Sequence, residues 1–242
     1  SNYKFDYIFH QAAISDTRAY NQEMVMKTNV NSFYDLLKIA KKNQSVMVYA
    51  SSAATYGGLP SPQVEGNESP ENPYGYSKLL MDQIAFRYAN ENPNMTIVGL
   101  RFFNVYGPRE FYKAKTSSMI IQLGHQILAN KSPRLFENSN KILRDFVFIE
   151  DVVQANIKAC NVKSNGTYNV GTGISRSFKD IIDILQKELT TSLNIEYFPN
   201  PYDGYQLNTQ ADITLSKENF QYDPVFSLEK GIKSYLPEIK RL

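Results

Sequence analysis

The sequence predicts an α/β fold: a doubly wound parallel sheet followed by a smaller, mixed C-terminal region. Two observations predict it. From Tyr7 to Leu100, short apolar runs alternate with long amphipathic segments, an order that winds parallel strands with helices. The apolar runs are continuous, as in strands buried on both faces, and beyond Pro108 the elements shorten.

Tyr7-Ile8-Phe9 opens the pattern as a strand. The segment from Ala19 to Lys42 reads as a long helix, because Met26, Val30, Phe33, Leu37 and Ala40 recur at helical spacing. Val46 to Ala50 is the second strand, Pro73 to about Asn90 the next helix, and Thr96 to Leu100 the third strand. After Pro108 come a helix around Ser118 to Leu128, an extended Pro133-Arg134-Leu135-Phe136, a strand from Asp145 to Ile149, a helical pattern from Asp151 to Cys160 and an extended Thr167-Tyr168-Asn169-Val170. Ser177 reads as a helix N-cap. Pro199, Pro201 and Gly204 then break the chain before helical stretches near Leu215 and Leu228.

Composition narrows the function classes. With 242 residues, 42% hydrophobic and 21% charged, the chain can bury a core as one large domain or two small ones. A formal charge of +2 gives no reason to invoke nucleic acid or an acidic membrane as partner. No apolar run approaches a membrane span and Ser1-Asn2-Tyr3-Lys4 lacks a signal-peptide pattern, so a soluble protein is expected. Cys160 is the single cysteine; it excludes a disulfide framework, points to a reducing cytoplasm and reads as a packed thiol. Two distant histidines and one cysteine give no metal-ligand spacing, and no metal is expected.

Chemistry concentrates in two stretches. Ser52 follows the run Val46-Met47-Val48-Tyr49-Ala50 and so sits at the carboxyl end of a parallel strand, where the ligand crevice of such a sheet opens. Downstream, Asn72-Pro73-Tyr74-Gly75-Tyr76-Ser77-Lys78 starts a helix, with Tyr74 and Lys78 four positions apart on one face. An ammonium beside a phenol favours its ionised form, which makes a base of a group whose pKa is ordinarily about 10. The Ser52 hydroxyl would hold a substrate oxygen against that tyrosine. Tyr34 and Lys38 repeat the spacing inside an ordinary amphipathic helix, with no strand and hydroxyl cluster ahead of them, and read as a surface or packing pair.

These stretches, together with Phe9-His10-Gln11-Ala12-Ala13, Leu100-Arg101-Phe102-Phe103-Asn104-Val105-Tyr106-Gly107-Pro108-Arg109 and Arg144-Asp145-Phe146-Val147-Phe148-Ile149-Glu150-Asp151-Val152, resemble the extended short-chain dehydrogenase/reductase family of sugar-nucleotide epimerases and dehydratases. The resemblance runs through almost all of the chain. Three further blocks, Pro108-Arg109-Glu110-Phe111-Tyr112-Lys113, Leu135-Phe136-Glu137-Asn138-Ser139 and Tyr205-Gln206-Leu207-Asn208-Thr209-Gln210-Ala211-Asp212, resemble the branch of that family that acts on ADP-heptose.

The resemblance implies a Rossmann-like nucleotide-binding part over residues 1–107 and a mainly substrate-binding part over 108–242, with about 144–170 returning to the former. It implies tightly held NADP, with NAD as the alternative, and ADP-heptose as the nucleotide-sugar substrate, epimerised by transient oxidation and re-reduction. A homo-oligomer is expected. Against the cofactor it places Gln11, Ala12, Ala13, Ile14, Ser15, Asn29, Tyr74, Lys78 and Val105. Catalysis falls to Tyr74, Lys78 and Ser52, with Lys113 as a second base. Lys115 is its rival, because the segment from Lys113 to Met119 is longer than usual. Ser52, Asn104, Lys113, Ser118, His125, Phe136, Glu137, Asn138, Ser139, Arg144 and Tyr205 are assigned to the substrate. Taken without the resemblance, His10 is a structural histidine, Asn29 a helix-surface amide, Arg109 an ion-pair former, His125 a surface or core histidine, and Arg144 a partner for Asp145.

One departure matters. A dinucleotide-binding half opens with a strand, a Gly-rich turn and a helix, which aim backbone N–H groups at the pyrophosphate. Only six residues precede Tyr7, and the nearest glycine cluster, Gly171-Thr172-Gly173, lies far downstream. By resemblance, roughly 60 to 70 residues carrying the first strands are expected to lie outside this chain. A UDP-hexose 4-epimerase or a sugar-nucleotide dehydratase is the alternative enzyme, neither of which needs Lys113. A cofactor-free scaffold that kept the fold is the alternative of another class.

Overall fold

A computed structural model of the chain describes residues 4–17, 21–201 and 207–241, with Lys115 described by its backbone alone. In chain order the strands are β1 (Tyr7–His10), β2 (Val46–Ser52), β3 (Ile97–Phe102), β4 (Asn104–Tyr106), β5 (Arg134–Phe136), β6 (Leu143–Phe148), β7 (Gly166–Val170), β8 (Ser175–Ser177) and β9 (Glu196–Phe198). The central sheet has the order β1-β2-β3-β7, every pair parallel. His10 lies beside Tyr49, Ser52 beside Phe102, and Phe102 beside Val170. All four carboxyl ends therefore open on one edge of the sheet.

The helices explain why β2 is apolar at consecutive positions. They are α1 (Gln22–Met26), α2 (Ser32–Asn43), α3 (Pro73–Glu91), α4 (Met119–Leu128), α5 (Ile149–Ala159), α6 (Phe178–Leu189), α7 (Thr214–Phe220) and α8 (Leu228–Ile239). Met47 and Tyr49 pack with Phe33, Leu37 and Ala40 of α2 and Met81, Ala85 and Ala89 of α3. Val48, on the other face, joins Val98, Leu100, Val152 and Ala155, with Phe220 of α7 beyond. Each side chain of that size fully buried stabilises by about 1.5–3 kcal/mol, so a strand covered twice is selected for apolar residues throughout.

A second core gathers α4, α6 and α8 around β6, through Ile120, Leu123, Phe146, Phe148, Ile181, Leu185, Ile232 and Tyr235. Here β4, β6 and β8 form a three-stranded sheet, and β5 pairs with β9. Ser177 caps α6 as expected, in a reciprocal box with Asp180.

One expectation changes. The long helix predicted for Ala19 to Lys42 is interrupted, within its described part, by a π-turn over Lys27–Asn31, which widens the helix by one residue and turns Asn29 fully inward. Gly171-Thr172-Gly173 is shaped around a carboxylate of its own chain. The N–H groups of Thr172 and Gly173, the Thr172 hydroxyl and the Ala211 N–H all donate to buried Asp145, and a Cβ at Gly171 would stand 2.6 Å from its Oδ2. That leaves no cradle for a phosphate there. Among the described residues no helix is long and apolar enough to cross a membrane.

Candidate active site

Ser52 ends β2, and its Oγ accepts the Ala54 N–H at 3.1 Å, starting a short 3-10 turn over Ala53–Tyr56. Its proton is left for a neighbour. The next helix begins against that turn: the Asn72 side chain caps α3 by accepting the Gly75 N–H at 2.9 Å, with Pro73 in the first turn. Gly75 permits the contact, since a Cβ would lie 2.5 Å from the Ala54 carbonyl oxygen. The Tyr74 phenol thereby comes within hydrogen-bonding reach of the Ser52 hydroxyl. One turn on, Lys78 is buried; its Nζ donates to the Ala50 carbonyl at 2.7 Å and lies 5.8 Å from the centre of the Tyr74 ring. The three groups singled out by spacing are together.

Their electrostatics differ from the expectation. Burial raises the Tyr74 pKa, with the Ser52 hydrogen bond acting the other way, and Lys78 is not what sets it. Burial also lowers Lys78 to about 8, against the charge of Asp82 one turn further along α3. Spacing puts the two residues on one face, but the long lysine chain ends on a carbonyl of β2 rather than on the phenol oxygen. At neutral pH Lys78 is still an ammonium, positioned behind the phenol.

The segment after β1 is held from the π-turn, α3 and α5. Asn29 is fully buried; its Oδ1 accepts the Ile14 N–H at 2.8 Å, and its Nδ2 donates to the Ile14 carbonyl and to Ser77 Oγ, both at 3.0 Å. Ser77 in turn donates to the Tyr74 carbonyl at 2.7 Å. Asn29 is neither a surface amide nor a free contact group, but the link between the Gln11-to-Ser15 backbone and the helix of Tyr74. Gln11 donates from Nε2 to Asn156 of α5 at 3.0 Å, while Ala12 and Ser15 are exposed and Ala13 half-exposed. His10 stacks on Phe33, and its Nε2 is buried without a partner; burial, then the charge of Lys78, lowers its pKa and keeps the imidazole neutral.

On the other side of the edge, Asn104 is exposed and Val105 half-buried on β4. Lys113 is exposed on a 3-10 turn over Phe111–Thr116. Arg109 makes a structural tie through its backbone, its N–H donating to Glu238 of α8. Ser118, assigned to the substrate, donates both its N–H and its hydroxyl to Glu110, each at 2.7 Å. His125 lies on α4 with Nε2 buried and unpartnered, and Ser139 is buried with Oγ unpartnered. Phe136 meets Phe198 edge-on at 5.0 Å, and Glu137 and Asn138 are exposed. Arg144 donates from Nη1 to the carbonyls of Leu143 and Leu207 and lies over the Phe178 ring. The Asp145 carboxylate, the alternative partner, is taken up by the Gly171–Gly173 turn and Ala211. Tyr205 lies outside the described residues.

Beneath the site runs a network that the sequence reading missed. Arg101 of β3 donates from Nε and Nη2 to Asp82 at 3.0 and 2.9 Å, and from Nη1 to Tyr56 and Glu68. Asp82 also accepts from Tyr49 and Ser51. The available signal was an arginine inside the apolar strand run Val98-Gly99-Leu100-Arg101-Phe102, which has to be paired.

The strand edge thus offers an accessible small-residue backbone at Ala12-Ala13, a hydroxyl, a phenol, an ammonium and an unpartnered imidazole nitrogen. That donor set fits the ribose hydroxyls and carboxamide of a nicotinamide nucleotide. Fold and site together define an enzyme of the short-chain dehydrogenase/reductase type. The profile of the NAD dependent epimerase/dehydratase family matches residues 1–171, and the chain belongs to that family. It is similar to the crystal structure of ADP-L-glycero-D-manno-heptose-6-epimerase from Helicobacter pylori, with 48% identity over 99% of this chain and 74% of that one, at a TM-score of 0.92. It is also similar to UDP-glucose 4-epimerase from Thermotoga maritima with UDP-glucose, at 26% identity over 98% and 77% and a TM-score of 0.89. UDP-glucuronic acid 4-epimerase from Bacillus cereus in complex with NAD matches at 27% over 98% and 75%, with a TM-score of 0.84.

Replacing Asn29 tests the segment after β1. In Asn29→Leu the half-buried Ile14 N–H and carbonyl lose their partner, at no more than about 1–3 kcal/mol for each group left unsatisfied. The full-length variant is expected to retain less nicotinamide nucleotide through purification, measured in the denatured protein. Full retention would show that Asn29 does not support the cofactor.

Proposed function

We propose that the chain is an epimerase that converts ADP-D-glycero-manno-heptose into ADP-L-glycero-manno-heptose at C6, using NADP and supplying heptose for lipopolysaccharide or a related surface glycan. The observation that carries this reading is the 48% identity with a heptose epimerase along nearly the whole chain, against 26% and 27% for epimerases of UDP-sugars.

In this reading the backbone from Gln11 to Ser15, supported by Asn29, holds the cofactor together with Tyr74, Lys78 and Val105. A nicotinamide cofactor bound there would supply hydride transfer to and from C6. The residues of the chain handle the proton and the orientation. Ser52 holds the C6 oxygen, and Tyr74 takes its proton, with the Lys78 ammonium standing behind the ring. Inversion requires the C6 carbonyl to turn over. Its oxygen then faces away from Tyr74 and needs a proton donor on the other side, a role given to Lys113, with Lys115 as rival. Asn104 contacts the sugar or diphosphate. His125, Ser139 and Arg144 serve the nucleotide end with Phe136, Glu137, Asn138 and Tyr205. Two of these support the reading directly, since His125 Nε2 and Ser139 Oγ are buried polar atoms without protein partners, and such atoms are costly unless something bonds them.

Arg144→Ala in the full-length protein tests the nucleotide end. Losing a charged hydrogen-bond partner of the diphosphate should weaken ADP-heptose binding by about 1.5–3 kcal/mol while changing turnover at saturation less. Comparing rates on ADP-heptose and UDP-galactose tests the substrate: equal rates would favour a UDP-hexose 4-epimerase.

A further inference from the structure

Glu110 is a buried acid, 5% exposed, that no step above uses. Its hydrogen-bond donors come from both ends of one loop. Oε1 accepts the Ser118 hydroxyl at 2.7 Å and the Gly107 N–H at 3.4 Å, and Oε2 accepts the Ser118 N–H at 2.7 Å. From α8 the buried Tyr235 lies near the same carboxylate, its hydroxyl without a hydrogen-bond partner; burial, then the Glu110 charge, raises the pKa of that phenol. Gly107 directly follows β4, and Ser118 is the N-cap of α4. The carboxylate therefore ties the entry of the loop to its exit. The backbone carbonyl of Glu110 also accepts the Lys113 N–H at 2.9 Å, the bond that starts the turn presenting Lys113.

A buried charge without a cation persists only where hydrogen bonds serve it, and here the loop itself supplies them. An amide would not serve as well. Glutamine offers one acceptor oxygen and an NH2 group, and that NH2 would face a donor already in place at Gly107 or Ser118.

We propose that Glu110 is a positioning residue for the second proton-transfer group: it closes the neck of the loop between β4 and α4 and so fixes where Lys113 is presented. This rests on the reading that Lys113 is that group. It also gives Ser118 a place, since its N–H and its hydroxyl both donate to the clamp.

The test is a double-mutant cycle in the full-length, cofactor-loaded protein, with ADP-D-glycero-manno-heptose as substrate. Epimerisation kcat and KM, nucleotide content and thermal midpoint are measured for Glu110→Gln, Lys113→Met and the combination. Glu110→Gln is expected to lower kcat about 10- to 100-fold, as a misplaced group does, with KM and nucleotide content little changed. In the Lys113→Met background it should cost nothing further, because a residue acting through Lys113 has nothing left to position. Losses that multiply in the double variant, or a near-normal kcat in Glu110→Gln, would overturn the proposal. Near-normal activity in Lys113→Met is a different result: it removes the two-base reading, and the positioning role with it. If Glu110→Gln does not fold, Ser118→Ala, which deletes a single donor, takes its place. A smaller loss that vanishes in the Lys113→Met background supports the clamp, and one that multiplies overturns it.

Discussion

Tyr74→Phe and Lys113→Met are each expected to reduce epimerisation by about 10²–10⁴-fold, the usual worth of a positioned acid or base, while the cofactor stays bound. Tyr74→Phe removes only the hydroxyl that meets Ser52, leaving the ring that lies over Lys78 and the packing of α3 against β2. Lys113 is exposed, so Lys113→Met leaves the core untouched and its effect reads on chemistry rather than on folding. The measurements are the rate of conversion between the two ADP-heptose epimers and the nucleotide content of each variant. Lys115→Met is the control that separates the rivals. A large loss confined to it would move the second base two positions along, and near-normal activity in Lys113→Met would leave Tyr74 to serve both faces of the sugar.

Arg101→Met is expected to destabilise the fold by about 3–5 kcal/mol, the cost of leaving a buried partner charge uncompensated. Burial alone disfavours an ionised Asp82, and the guanidinium is the largest effect offsetting it, ahead of Ser51 and Tyr49. The side chains of Arg101, Asp82 and Glu68 are only 3%, 5% and 16% exposed, so bulk solvent cannot take over that role. The loss would reach the active site as well, since Asp82 lies one turn beyond Lys78 and its charge helps keep that amine protonated. Denaturant unfolding of wild type, Arg101→Met and Arg101→Met/Asp82→Leu checks the argument. The double variant should recover part of the loss, because replacing both members of the Arg101–Asp82 pair by apolar groups is often close to neutral while Glu68 stays unpaired. A single variant within about 0.5 kcal/mol of wild type, the range of an inconsequential surface change, would show that the network is not structural.

Much of the site was legible because its chemistry is local in the chain. A strand end carrying Ser52, a proline-started helix and a four-residue interval between Tyr74 and Lys78 fix which side chains share an edge, whatever else the protein does. The Asp145 turn shows the converse. Gly171-Thr172-Gly173 reads in the sequence only as a glycine cluster far from the start of the nucleotide-binding part, and only the approach of β6 reveals that a carboxylate of the same chain occupies its N–H groups.

The sequence by itself determined the parallel wound sheet, the strand end that carries Ser52 and the trio at the head of α3, since periodicity and helix spacing act over a few residues and need no distant partner. Tertiary structure alone decided what each group is bonded to and how far it is desolvated. Asn29 meets Ser77 across 48 positions, Arg101 meets Glu68 across 33, and Ser118 donates to the buried Glu110. The same holds for the Tyr74 phenol, raised by burial where spacing alone argued for a fall. Burial and hydrogen bonding depend on which segments close over a residue, and no local pattern encodes that.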